Sequence, residues 1–337
     1  MGLTARVDAY QRRHSRAGYP LAVAYKFFDD NGGHLAALIT YYAFLSLFPL
    51  LLLAATVLSV VLRGDPVLQQ AVLGSALRQF PVIGGQLGTP ERLSGGTVGV
   101  VVGLLGAVYG GLGVALAGQS AMNTVWAVPR NNRPNPIKAR GRALLLLGTV
   151  GTAVVLTTGL LAVSGGAGAL GSGVRVVTLV AAVVVNIGAF VVGFRLATTR
   201  ALSVRDVLPG AVSAAVAWQL LQLGGKAYIT HTIQHASATN SLFALVLGLI
   251  AFLYVTSLIV VLSAEANAVR VGRLWPRALL TPLTDDVVLT PADERAYTEQ
   301  ALAQRTKGFE RIEVIFDKDA DRTGEDVDRT DEDAAAR

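Results

Sequence analysis

The chain has no cysteine, which excludes disulfides, thiolate metal sites, iron–sulfur clusters and a cysteine nucleophile together. It is also poor in charge: 15% of its 337 residues are Asp, Glu, Lys or Arg, against about one quarter in a typical soluble protein. Three long tracts, 35–62, 93–129 and 143–174, hold none of these four residues. A mean hydropathy of +0.51 fits a membrane-embedded chain and nearly excludes the water-soluble classes. No acid sits at the centre of an apolar tract, so the carboxylate relay of many proton-driven carriers is missing. P-loop, HExxH and Ser/His/Asp patterns are missing too, as is an acidic cluster for two metal ions. The expectation is therefore no cofactor, no metal and no enzymatic activity.

What the chain does have is apolar length. A spanning helix needs about 20 mostly apolar residues, because its backbone groups must satisfy one another where water is absent. Six stretches qualify: 36–62, 96–122, 143–165, 174–197, 207–227 and 242–265. The fifth is the weakest, diluted by Pro209, Gln219, Gln222 and Lys226. The fold class expected is all-α, a polytopic membrane protein of six transmembrane helices with an interfacial helix and a polar tail. Its domains read as an N-terminal cytoplasmic segment with an amphipathic elbow (1–35), a six-helix membrane domain (36–267) and a largely disordered acidic cytoplasmic tail (268–337). The segment 1–35 does not read as a cleaved leader, because the apolar run after it is too long and no small-residue cleavage site closes it.

Charge orients this topology. Residues 1–280 carry 21 Lys/Arg against 7 Asp/Glu, and residues 281–337 carry 8 against 16. The basic residues sit at the edges of apolar runs, which is the signature of membrane topology and not of a nucleic-acid surface. Arg6, Arg12, Arg13, Arg16 and Lys26 precede the first span; Arg130, Arg133, Lys138, Arg140 and Arg142 join the second to the third; Arg195, Arg200 and Arg205 join the fourth to the fifth. Those segments, and hence both termini, are expected in the cytoplasm. Between the first two spans Val67, Leu68, Ala71, Val72, Ala76 and Phe80 recur near helical spacing, which predicts a short interfacial helix. Asp29-Asp30-Asn31-Gly32-Gly33 predicts a turn into the membrane.

Four groups of residues stand out inside this frame. Gly96, Gly99, Gly103, Gly106, Gly110 and Gly113 of the second span fall within a roughly 100° arc of the helical wheel. Such a bare stripe lets a neighbouring backbone approach closely, a packing role favoured over a ligand groove. Tyr42, Ser46, Pro49 and Thr56 of the first span share one face, where Pro49 withholds an N–H from the carbonyl of Leu45. That kinked polar face lines a substrate path, or is a static kink satisfied by Ser46 or a neighbour. Gln219, Gln222, Lys226 and Thr230 form a second polar stripe, the leading candidate for a translocation surface, with snorkelling of Lys226 as its plain alternative. Glu265 and Asn267 close the sixth span, with Arg195 or Arg200 as the expected mate of Glu265 and structural clamping favoured over a coupling role. His231 and His235 stand at i, i+4 but lack further ligands, so they read as an interfacial pair and not as a metal site.

The stretch Leu35-Ala36-Ala37-Leu38-Ile39-Thr40-Tyr41-Tyr42-Ala43-Phe44-Leu45-Ser46-Leu47-Phe48-Pro49-Leu50 resembles the opening of the YihY/BrkB family, and Leu262-Ser263-Ala264-Glu265-Ala266-Asn267 resembles its second hallmark. The likeness covers about residues 20–272. It implies a six-helix bacterial inner-membrane protein with both ends in the cytoplasm. Ser263 stands where that family usually has Gly, and Asn240-Ser241 where it often has an aromatic residue followed by Gly. The family has been labelled both a ribonuclease and a virulence factor, and nothing in these residues supports a nuclease. The reading carried forward is a transporter or translocase of lipid or an envelope precursor, with membrane lipids and an amphiphilic small molecule as partners. No nucleic acid is expected, and a homo-oligomer is left open as a partner state. The alternative is a noncatalytic scaffold that recruits cytoplasmic partners through its tail.

Overall fold

The computed structural model describes residues 8, 10–12, 15–61, 96–166, 171–228, 238–279 and 287–316. Among the described residues these α-helices follow one another: α1 (Ser15–Asp29), α2 (Gly32–Val61), α3 (Gly96–Val125), α4 (Pro136–Gly166), α5 (Gly171–Ala197), α6 (Val204–Tyr228), α7 (Ala238–Gly272) and α8 (Pro291–Ala303), with a 3₁₀ turn at Arg130–Asn132. No strand occurs among the described residues. The protein is an all-α polytopic membrane protein. Five of the apolar stretches read from the sequence fall within α3 to α7, and the first, 36–62, coincides with α2 up to residue 61. Among the described residues four segments are long and apolar enough to cross a bilayer: Val101–Val125, Pro136–Leu160, Val176–Ala197 and Val246–Gly272. In α2 the described apolar segment Gly32–Leu47 is shorter. The expected interfacial helix at 67–80 and the pair His231 and His235 lie outside the described residues.

Neighbours in sequence are neighbours in space: α2 packs on α3, α4 on α5, and α6 on both α5 and α7, while α3 also touches α4, α5 and α7. The flanks are inside-out. Leu105, Tyr109, Val155, Val177 and Leu247 are exposed, as they must be where hydrocarbon replaces water. The densest core lies at one end of the bundle, where Met122, Val125 and Trp126 meet Phe194, Val207, Val261 and Ala264.

That same end is capped. The elbow between α1 and α2 is a single tight turn through Asn31, at φ 54°, whose carbonyl accepts from the N–H groups of His34 and Leu35. Gly32 is required there, because a Cβ would fall 2.2 Å from the Phe27 ring. On the C-terminal side the structure corrects the expectation of a disordered tail from 268. α7 runs on to Gly272, Leu274 and Arg277 are fully buried, and α8 is a docked helix. Its start is fixed by a capping box: the Thr290 hydroxyl accepts from the Asp293 N–H and the Asp293 carboxylate from the Thr290 N–H. Composition misled here because the polar residues of this segment bond to each other and to α1, which an acid count does not register. Residues 311–316 carry no regular structure.

Candidate functional site

The glycine stripe and the kinked polar face meet each other. A Cβ on Gly106 would fall 2.6 Å from the Pro49 ring, one on Gly110 2.4 Å from Ser46 Cβ, and one on Gly113 2.3 Å from the Tyr42 ring. Descending positions on α2 match ascending ones on α3, so the two helices run antiparallel with side chains of one seated on the bare backbone of the other. This seam is closed. Ser46 donates to the carbonyl of Ala43 at 2.9 Å, not to that of Leu45 as the proline kink suggested. Gly103 is buried on the same helix, while the surroundings of Gly99 lie outside the described residues. Tyr42, Ser46 and Pro49 thus serve α2–α3 packing and are not brought to the α6 stripe.

On α6, Trp218 and Leu221 point into a small cluster with Leu47, Leu249 and Phe252. Gln219 and Gln222 are half-buried beside it and make no hydrogen bond within the described residues. Lys226 lies in the last turn of α6, and its side chain is outside the description.

The capped end of the bundle carries the charges. Glu265 is fully buried, and its partner is Lys26 of α1, 3.4 Å away, in place of the expected Arg195 or Arg200. The contact is in ion-pair range but not aligned as a hydrogen bond. Lys26 also donates to Asp30 at 2.5 Å. Burial pulls the ammonium pKa down, but Glu265 and Asp30 outweigh it and hold it above the ordinary lysine value. The two arginines are spent elsewhere: Arg195 donates to the carbonyl of Leu202 at 2.9 Å, and Arg200 lies 5.5 Å over the Trp126 ring. The reason is tertiary, since α1 crosses the end of α7 and Tyr19 donates to the Ala266 carbonyl at 2.7 Å.

Asn267 is a clamp. Its amide accepts the N–H of Gly210 at 2.8 Å and donates to the carbonyl of Val207 at 3.0 Å, while Arg270 donates to the carbonyls of Arg205 and Asp206 at 2.7 and 2.9 Å. Pro209 cannot donate to the Arg205 carbonyl, so α7 supplies from outside what α6 lacks. Ser263 joins this contact by accepting from the Ser213 hydroxyl at 3.3 Å.

A second buried network fastens α8. Arg277 donates to Asp293 and to Asp29, the latter at 3.1 Å, and lies 5.2 Å from the Tyr297 ring centre. Burial works against its charge, yet the facing carboxylates raise its pKa. Asp29 is pushed above the ordinary carboxylate value by burial, which Arg277 only partly offsets. Sequence reasoning used Lys26 only for topology and Asp29 only for a turn, and did not single out Arg277 or Asp293. The available signals were faint: Lys26 and Asp30 at i, i+4, and Thr290-x-x-Asp293 as a cap pattern.

Between these networks opens a polar cleft of about 180 Å³. Its walls are the α1–α2 elbow, the turn after α3 with Arg130 and Arg133, and α8 with Glu299 and Gln300. A separate, apolar groove faces outward between α4 and α5, where Gly148 and Gly188 leave space. Neither cavity is lined by Gln219, Gln222, Tyr42 or Ser46. No group of three or more His, Asp or Glu able to hold a metal ion occurs among the described residues.

Neither a curated protein nor a solved structure matches the chain. A family model described as Virulence factor BrkB matches residues 23–279, from α1 through the buried Arg277, and so takes in both the Lys26–Glu265 pair and the Asn267 clamp. The chain belongs to the Virulence factor BrkB family.

Proposed function

We propose that this protein moves an amphiphilic solute, a phospholipid or an envelope precursor, across the bacterial cytoplasmic membrane, with six spans and both termini in the cytoplasm. The observation that carries the reading is the pair Gln219 and Gln222, half-buried on α6 with no hydrogen-bond partner among the described residues. Polar side chains at membrane depth are costly unless they meet a partner or a wet path, and a static bundle has no use for two unpartnered amides. α6 also carries Pro209 in its second turn, where the hydrogen bond that the proline withholds is made good by α7, an arrangement that suits a helix able to bend inside a transporter. The scarcity of central charge suits an amphiphile better than a small ion that needs a charged cage. The test is reconstitution. Proteoliposomes should accelerate flipping of labelled phospholipid or precursor, and Gln222→Leu should reduce the rate at least tenfold while the protein stays monodisperse. Equal rates in empty and loaded vesicles would remove the reading.

A second reading, a scaffold for a cytoplasmic partner, is favoured by Phe309 and Ile315, which are 88% and 83% exposed beyond α8. Removing 305–337 separates the two, because it spares the Arg277–Asp293 contact that a longer deletion would destroy. Loss of the cellular phenotype with intact lipid flipping favours the scaffold.

A further inference from the structure

The cleft at the capped end is not explained by packing. Its volume of about 180 Å³ exceeds that of an engineered cavity, ~150 Å³, that admits benzene, and its walls are polar. The walls are also fastened to one another. Gln300 of α8 donates to the Asp29 carbonyl at 2.8 Å, and the Asn131 N–H donates to the Arg305 carbonyl at 3.1 Å, so α8 is tied both to the elbow and to the turn after α3.

The charges on those walls divide into spent and unspent. Lys26 and Asp30 bind each other, and Asp29 binds Arg277. Arg130 and Arg133 remain on one wall and Glu299 on another. Among the described residues Arg133 reaches only the Val128 carbonyl, at 3.3 Å, and the Thr124 hydroxyl, at 3.5 Å. Burial and the neighbouring Arg130 both push its pKa below the ordinary arginine value, and no carboxylate counters them. Arg130 and Glu299 have no hydrogen bond or ion pair among the described residues. Two guanidiniums side by side match an oxyanion with several oxygens, which a fork of N–H donors binds better than a point charge does. A simple anion would meet the charge of Glu299 across the same small space. An occupant with an ammonium at its other end would meet it as a partner.

We propose that this cleft binds a small phospho-zwitterion, a phosphate ester bearing a primary ammonium, with Arg130 and Arg133 on the phosphate and Glu299 on the ammonium. The cleft thereby names the headgroup class of the solute, and in that respect it rests on the translocation reading above. Binding itself is measured without transport, so the two fail separately.

The experiment is calorimetric titration of the full chain in detergent with O-phosphorylethanolamine, inorganic phosphate, ethanolamine and β-alanine. The phospho-amine should bind at least tenfold tighter than the other three. Arg133→Gln should weaken it tenfold or more. Glu299→Gln should bring it down to the level of inorganic phosphate, whose own binding stays equal or tightens. Arg130→Gln, at the exposed rim, is the second variant should Arg133→Gln fail gel filtration, and the same tenfold loss is expected. No saturable binding, equal affinity for inorganic phosphate or β-alanine, or indifference to Glu299→Gln overturns the proposal. Repeating the titration in nanodiscs distinguishes the source of the ligand. Weaker apparent affinity in phosphatidylethanolamine than in phosphatidylglycerol assigns the site to a lipid headgroup, and equal affinity assigns it to a soluble phospho-amine. Flipping that persists in Arg133→Gln after binding is lost overturns the assignment of the cleft and leaves the transport reading standing. Binding without any flipping keeps the cleft and removes that reading.

Discussion

Asn267 on α7 holds the backbone of Gly210 on α6, accepting its N–H at 2.8 Å from a position fully buried in the bundle. The approach is close enough that a Cβ on Gly210 would fall 2.2 Å from Asn267 Nδ2 and 2.3 Å from the Ser263 carbonyl oxygen. One of those neighbours is backbone and cannot swing aside. Gly210→Ala is therefore expected to cost about 1–3 kcal/mol as overpacking. Asn267→Ala is expected to cost a similar amount by leaving the Gly210 N–H and Val207 carbonyl without their partner. Thermal unfolding in detergent measures both, and a wild-type midpoint for Gly210→Ala would contradict the clamp.

The α2–α3 seam makes a paired prediction. Gly110→Ala places a methyl 2.4–2.6 Å from Cβ and Cα of Ser46 and is expected to cost about 1–3 kcal/mol. Gly118→Ala lies on the same helix with nothing within 4 Å of the new methyl, so it should be neutral or stabilising by up to about 1 kcal/mol. Equal melting temperatures for the two variants would show that the seam is not packed as described.

For the docked helix, the readout is amide hydrogen exchange. Arg277→Met strands Asp293, buried and capping α8, and breaking one side of a buried pair typically costs about 3–5 kcal/mol. Exchange across α8 should rise at least tenfold, while amides of α3 and α5 stay protected because the bundle does not depend on this pair. Uniform deprotection of the whole bundle would mean that the cap and the core unfold as one unit.

Lys26 predicts a pH dependence. Its folded pKa lies above the ordinary value of 10.5, so its contribution to stability is fully present below about pH 10.5 and is lost as pH rises through the folded value. Lys26→Met should lower the melting temperature by several degrees at pH 8, by leaving Glu265 and Asp30 unneutralised. The gap to wild type should narrow above about pH 10.5, as the wild-type ammonium loses its proton. A gap of constant size between pH 8 and 12 would assign the loss to packing of the lysine stem instead.

How far the sequence could be read depended on the range of the interaction involved. The Pro49 face and the Gly106, Gly110 and Gly113 stripe were each visible as local patterns, because helical period is a property of one segment. That they close on each other, turning a candidate path into a seam, required knowing which helix lies beside which. Asn267 was visible as part of a motif, but its partner is the backbone of Gly210 beside Pro209, 57 residues upstream. The mate of Glu265 was sought among arginines near the same end, and the buried lysine that reaches it belongs to a helix that the charge count treated only as topology.

The amino-acid order alone determined that this chain enters a bilayer, where its long apolar helices lie, and which end of the bundle gathers its cations. These follow from hydropathy and charge summed along contiguous residues, and water enforces them whatever the neighbours. Only the tertiary structure decided which charges neutralise one another, that α8 docks instead of trailing free, and that a polar cleft stays open among Arg130, Arg133 and Glu299. Those outcomes depend on distances of a few ångströms between residues as much as 276 positions apart, as in the Arg12 contact with the Val288 carbonyl, and no local pattern encodes such distances.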